Sequence, residues 1–214
     1  MNRLELVRAL RQFAGVGAGS TGNGPSTTLN QVGEYERLVD WIDGAWNEIQ
    51  QANLWDFMWE AETVTILATT NVTAGDIPAR RYVQDATYYG SKRLTWMNWE
   101  LFRQRYPAPL IVDGEPSAWS IRPDKAFVVN AKPTVDWALS VERYTNPVPM
   151  TADADVPALP SEHHMAIVYK ALLLYANFEE AGVTRATAQA EYNRHMMALG
   201  LNELPEWSFG DPLA

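Results

Sequence analysis

The sequence predicts an α+β protein: a helical bundle made by the N- and C-terminal helices, with a small antiparallel β unit inserted between them. Three observations carry this. Residues 33–52 and residues 161–181 repeat apolar side chains at helical spacing. Residues 135–142 instead alternate apolar and polar side chains. The expected division is 1–60 with 155–200 for the helical domain, 61–150 for the β-rich domain and 201–214 for a C-terminal arm.

Taken in order, Leu4–Phe13 reads as a short helix with Leu4, Val7, Leu10 and Arg11 near one face. A glycine-rich stretch, GVGAGSTGNGPSTT, follows. In the second helix Tyr35, Leu38, Val39, Ile42, Trp46 and Ile49 fall at i, i+3, i+4, i+7 positions, and Asn53 is its natural end. ETVTILA then alternates, with Val64 and Ile66 on one side. AWSIR and AFVVNA are further strands, and MNWELFRQRY is a short helix closed by Pro107. In VDWALSVERY, Val135, Trp137, Leu139 and Val141 point inward, and the preceding NAKPT reads as a hairpin connection. Residues 145–160 read as a proline- and acid-rich connector. Ser161 offers an N-cap to a long helix whose apolar face is Met165, Val168, Leu172, Tyr175 and Ala176, with Gly182 as its stop. A last helix starts at Thr184 and ends at Gly200.

The 214 residues include 47% hydrophobic and 20% charged side chains, enough for a buried core. There is no cysteine, which excludes disulfides and cysteine chemistry and suits a reducing cytoplasm. No segment reads as a signal peptide, and AIVYKALLLYANF is too short for the about 20 apolar residues of a bilayer span. The net charge of −9 is uneven: 1–60, 61–150 and 151–214 carry −4, +1 and −6. Such a chain lacks the clustered cations that grip DNA phosphates. Nine tryptophans point to a core or an interface.

Chemical motifs fail one by one. Gly17, Gly19 and Gly22 match G-x-G-x-x-G, but a helix precedes them and no strand does. A phosphate loop needs Lys and Ser or Thr where Asn23 and Gly24 stand, and Pro25 interrupts the turn. The stretch therefore reads as a flexible link. His163 and His164 are adjacent on a helix, about 100° apart, so they do not face one metal, and His195 has no partner at metal-ligand spacing. Asp153 and Asp155 sit in the connector and read as solvated acids, too few for calcium. Arg80, Arg81, Lys92 and Arg93, with Tyr82, Tyr88 and Tyr89 between, form the one basic concentration, read as the solvated face of a two-stranded ribbon. No catalytic residue, cofactor site or metal site is expected.

Two segments carry a resemblance. One is LVDWIDGAWNEIQ with the following Trp55. The other is ADVPALPSEHHMAIVYKALLLYA, with Pro157, Leu159, Pro160 and His164. Together they resemble the head-to-tail adaptor (neck or connector) proteins of tailed bacteriophages, over most of the chain. The matching positions are packing residues, and the β insert is the least characteristic part. The resemblance implies a structural virion protein, assembled in the host cytoplasm. It implies a ring, typically of twelve copies, under the portal protein, a platform for the next neck or tail protein, and a channel through which DNA passes. It implies no activity, cofactor or membrane.

The tail LPEWSFGDPLA gives Leu204, Trp207, Phe209 and Leu213 little to bury against locally. They are the expected contact residues for the portal or a neighbouring subunit, unless Trp207 and Phe209 fold back onto the helices. Two other functions fit the composition. A free-standing sugar- or peptide-binding module would show a concave aromatic patch on the β unit. A hydrolase with dispersed carboxylates would show a deep pocket with two perturbed acids.

Overall fold

Asn2 starts the first helix with a capping box: its side chain accepts from Glu5 N, and the Glu5 carboxylate accepts from Asn2 N. In the computed structural model, which describes residues 1–16, 24–68, 73–76, 78–107 and 113–204, this helix is α1 (Arg3–Ala14). Gly15 ends it at φ 69°, a left-handed position that glycine fills without strain. Helix α2 (Glu34–Ala52) buries the expected stripe of Leu38, Val39, Ile42, Trp46 and Ile49, and Asn53 caps its end. The chain divides into two compact units, Met1–Phe57 with Pro147–Ala214, and Met58–Asn146.

The second half of the helical unit departs from expectation. Ser161 is not an N-cap; it opens a 3₁₀ turn, Ser161–His163, that leads into α4 (His164–Phe178). Helix α4 packs against α1, α2 and α5 at once. Ala166, Ile167, Ala171 and Leu173 are therefore buried beside Val168, Leu172 and Ala176, while Met165 and Tyr175 are half-buried. A helix enclosed on several sides is apolar all round, so one-sided periodicity under-reads it. Helix α4 already ends at Phe178 with Glu179 as its C-cap, so Gly182 does not stop it but begins α5 (Gly182–Glu203), and Gly200 lies inside α5. Helix α5 ends at Leu204 in extended conformation (φ −105°, ψ 140°), as Pro205 requires of the residue before it.

The second unit holds β1 (Trp59–Ile66), β2 (Thr73–Asp76), β3 (Arg81–Tyr89), β4 (Lys92–Arg93), β5 (Thr95–Trp96), α3 (Trp99–Arg105), β6 (Ala118–Ile121), β7 (Ala126–Val129) and β8 (Trp137–Tyr144). They form two four-stranded sheets, ordered β1-β8-β3-β4 and β2-β7-β6-β5. Pairing is antiparallel except between β5 and β6, where Thr95 and Trp96 run parallel to Ala118 and Trp119. The protein is thus α+β, with five α-helices among the described residues.

Alternation reads correctly in β1 and β8: Val64, Ile66, Trp137, Leu139 and Val141 are buried, and Thr63, Thr65, Ala138 and Ser140 are exposed. Val135 is the exception; it precedes β8 and is 59% exposed. The NAKPT segment is not a hairpin, because β7 and β8 lie in different sheets. Asn130 diverts the chain: its Oδ1 accepts from Ser117 N and Ala118 N at 2.8 Å each. Both sheets fill one core, where Trp119 stacks on Phe127 at 5.1 Å and meets Trp96 edge-on at 4.6 Å. Asn98 caps α3, whose Phe102 packs with Ala118 and Val128.

Candidate functional site

The helical unit carries two features beyond its core, a polar latch at its N-terminal end and an apolar groove at its C-terminal end. The latch starts from α1's unpaired first-turn amides. Arg3 N donates to Asp155 O at 2.8 Å and Leu4 N to Asp153 O at 3.3 Å. The Arg3 side chain lies on α1's buried face and is itself buried. Its Nε and Nη2 grip both Asp43 oxygens at 3.1 and 2.5 Å. Its Nη1 donates to Thr28 Oγ1 and Thr151 O, both at 2.9 Å. The Thr28 hydroxyl and amide in turn donate to Asp153 Oδ1. Asp155 Oδ2 accepts from Thr151 N and Ala152 N at 2.6 and 2.8 Å.

Asp153 and Asp155 are therefore not part of a free connector: half-buried, they tie α1 to Thr28, and Arg3 carries the link on to Asp43 of α2. The hydroxyls of Thr27 and Thr28 hold the Asp153 carboxyl below its ordinary value, and the amides of Ala152 and Thr151 do the same for Asp155. The described end of the glycine-rich stretch is anchored as well, since the Arg8 guanidinium donates to Pro25 O. Gly17, Gly19, Gly22 and Asn23 lie outside the described residues.

Trp46 and Gln50 extend the latch along α2. Trp46 Nε1 donates to Val148 O at 2.9 Å. The Gln50 amide accepts from Val148 N at 2.8 Å and donates to Val148 O at 3.2 Å, as a neighbouring strand would. His164 closes it from α4. The Met1 amino group donates to Nδ1, which fixes the proton on Nε2, facing Leu159 O at 3.1 Å. Burial first, and the Met1 ammonium second, push the His164 pKa down.

That shift has a sign. Below pH 6.5 an unfolded His164 takes up a proton that the folded one resists, so stability present above 6.5 is lost as pH falls. His195, lowered by burial and by Arg194, acts the same way, and Asp153 and Asp155 add a second loss below 3.8. The urea midpoint is expected to be level above about pH 7 and to fall toward about pH 5, and His164→Gln should flatten that slope. An unchanged slope in the variant would remove His164 from the account.

The two adjacent histidines diverge as the helical step requires. His163 is buried against α5, with neither ring nitrogen partnered among the described residues. His195 meets it edge-on at 6.0 Å and stacks on Tyr169 at 5.8 Å. Sequence spacing does not reveal this pairing, since His195 lies on another element. Among the described residues no group of three or more His, Asp or Glu side chains is placed to hold a metal.

Of the basic concentration, Arg93 stands opposite Tyr88 and Lys92 opposite Tyr89. Arg80, Arg81, Lys92 and Arg93 are all exposed, and Lys92 reaches Glu115 at 3.6 Å. Strand β3 also pairs with β8, so this is the rim of a larger sheet and not an isolated ribbon.

The groove lies where α5 ends. Trp55 forms its floor, 1% exposed, with Nε1 donating to Ile49 O at 2.6 Å. Phe57 stacks between Trp55 and Trp46, 6.0 Å from each. Asn53, Asn193, Met196, Met197 and Leu204 complete a mainly apolar groove of about 360 Å³. Leu204 is thus seated on the body of the unit, and Trp207, Phe209 and Leu213 lie outside the described residues.

The comparison with protein families decides the identity: residues 1–212 match the family described as SU10 adaptor protein. The chain belongs to the SU10 adaptor family. It is therefore a bacteriophage adaptor, a structural virion component and not an enzyme. No curated protein matches the chain. In this SU10 adaptor, the residues behind the resemblance are the latch and the aromatic stack: Trp46, Gln50, Trp55, Leu159 and His164. No described helix is long and apolar enough to cross a membrane.

Proposed function

We propose that this adaptor joins the portal to the next neck or tail protein as a ring of twelve copies, with DNA passing along its axis. The helical unit acts as a bundle, and Leu204, Trp207, Phe209 and Leu213 of the C-terminal arm contact the portal or a neighbouring copy. The family match over residues 1–212 carries this reading. The surface of α5 supports it: in 22 residues it buries only Ala188 and Leu199, and it exposes Val183, Met197 and Leu201 at 85, 73 and 85%. Identical subunits in a ring need such apolar surface outside their cores. The net charge of −9 suits a lumen that repels DNA phosphate.

Electron microscopy of the protein mixed with the portal ring of its own phage tests the proposal. The expected image is an added layer with the portal's symmetry and acidic residues lining the axis. Deleting residues 205–214 is expected to abolish that layer and leave the monomer folded. A folded protein that adds no density would overturn the portal assignment, and a basic lumen would overturn the charge argument.

A further inference from the structure

The groove at the end of α5 faces solvent with an apolar floor, and its last wall is the residue from which the tail departs. Leu204 turns back against the helix, so that a Cβ built at Gly200 would lie 3.6 Å from Leu204 Cδ1. The next residue is proline, which holds Leu204 extended and stops α5 from running past the groove. Ten residues follow, with Trp207 three positions on and Phe209 five. At about 3.5 Å per residue, Trp207 reaches roughly 10 Å from Leu204. The wall from Met196 to Leu204 is eight helical steps, about 12 Å at 1.5 Å each. The tail's first aromatic residues thus have the length to return along the groove, and not to reach far beyond it without unseating Leu204.

We propose that in the unassembled protein this groove is the seat of the chain's own segment 205–214, with Trp207 or Phe209 laid over the exposed Met197. Methionine and tryptophan suit that contact, since a thioether adapts to an aromatic face. The consequence for assembly rests on the portal-docking reading: the residues that meet the portal are held on their own subunit until a partner displaces them. The seating itself needs no portal and is tested without one.

The chain has no cysteine, so a pair can be introduced cleanly. The full-length variant Asn193→Cys/Ser208→Cys places one thiol on the groove rim and one between the tail aromatics. A tethered, seated pair has an effective concentration of about millimolar, so at roughly micromolar protein an intrachain disulfide should outrun dimerisation by on the order of a thousandfold. The pair Arg185→Cys/Ser208→Cys is a blank: Arg185 lies about 28 Å along α5 from Leu204, beyond the roughly 14 Å that Ser208 reaches, so it should not close. Adding Trp207→Ala and Phe209→Ala to the first pair should slow its closure on the order of tenfold. Closure as fast without the two aromatics as with them would overturn the proposal. So would disulfide-linked dimers forming just as fast when the Asn193→Cys and Ser208→Cys single variants are mixed, because the groove would then hold a neighbour's tail. An intrachain disulfide in a protein whose truncated form still docks on the portal would leave the seat standing and remove only the portal-docking role of the arm.

Discussion

Replacing Arg3 with alanine is expected to cost the helical unit about 3 kcal/mol, the usual scale for removing one partner of a buried ion pair. The loss comes less from the missing attraction than from what is left behind. Asp43 loses a two-point partner, and Thr28 Oγ1 and Thr151 O lose a donor. Arg3→Lys should recover little, because an ammonium does not present the planar fork that meets both Asp43 oxygens. The paired change Arg3→Met/Asp43→Leu should be milder than either single change, since no charge then remains unpaired. Urea unfolding followed by helical circular dichroism reads the parent, these variants and the two single changes Arg3→Met and Asp43→Leu. If Arg3→Ala shifts the midpoint no more than a surface substitution, the latch is decorative and the helices hold without it.

The latch also shows where sequence reasoning stops. Helix α2 was legible because it buries one stripe against the unit and exposes the rest. The faces of β1 and β8 were legible for the same reason at a period of two. Sheet membership was not: alternation says which side of a strand is buried, never which strand lies beside it, so β7 and β8 looked like a hairpin and are in different sheets. Asp153 and Asp155 read as solvated because acids among prolines usually are, and their partners Arg3 and Thr28 lie more than a hundred residues away. One signal was present. Arg3 sits on the same face as Leu6, Val7 and Leu10, all buried, and a charge at a buried-stripe position asks for a partner. The groove gave less: Trp55 follows α2, Met197 sits near the end of α5, and no periodicity joins them.

Within the β unit the largest effect is expected at Trp119. It is fully buried, stacks on Phe127, and meets Trp96 and Tyr82 edge-on. Trp119→Ala should cost about 3–5 kcal/mol, because the two sheets cannot close over a void of that size. Trp119→Phe is the sharper test. The indole Nε1 has no hydrogen-bond partner among the described residues, and burying an unpaired donor costs about 1–3 kcal/mol in the native protein. Phenylalanine gives up volume but also removes that donor, so the two changes offset and the net loss should stay below about 2 kcal/mol. Amide hydrogen exchange read by mass spectrometry across a urea series gives one signal from the peptides of β6–β8 and a second from those of α2 and α4 in the other unit. The alanine variant should lose the first signal well before the second. A phenylalanine variant as damaged as the alanine one would show that the Trp119 N–H is satisfied in solution, and that the core depends on a hydrogen bond as well as on packing.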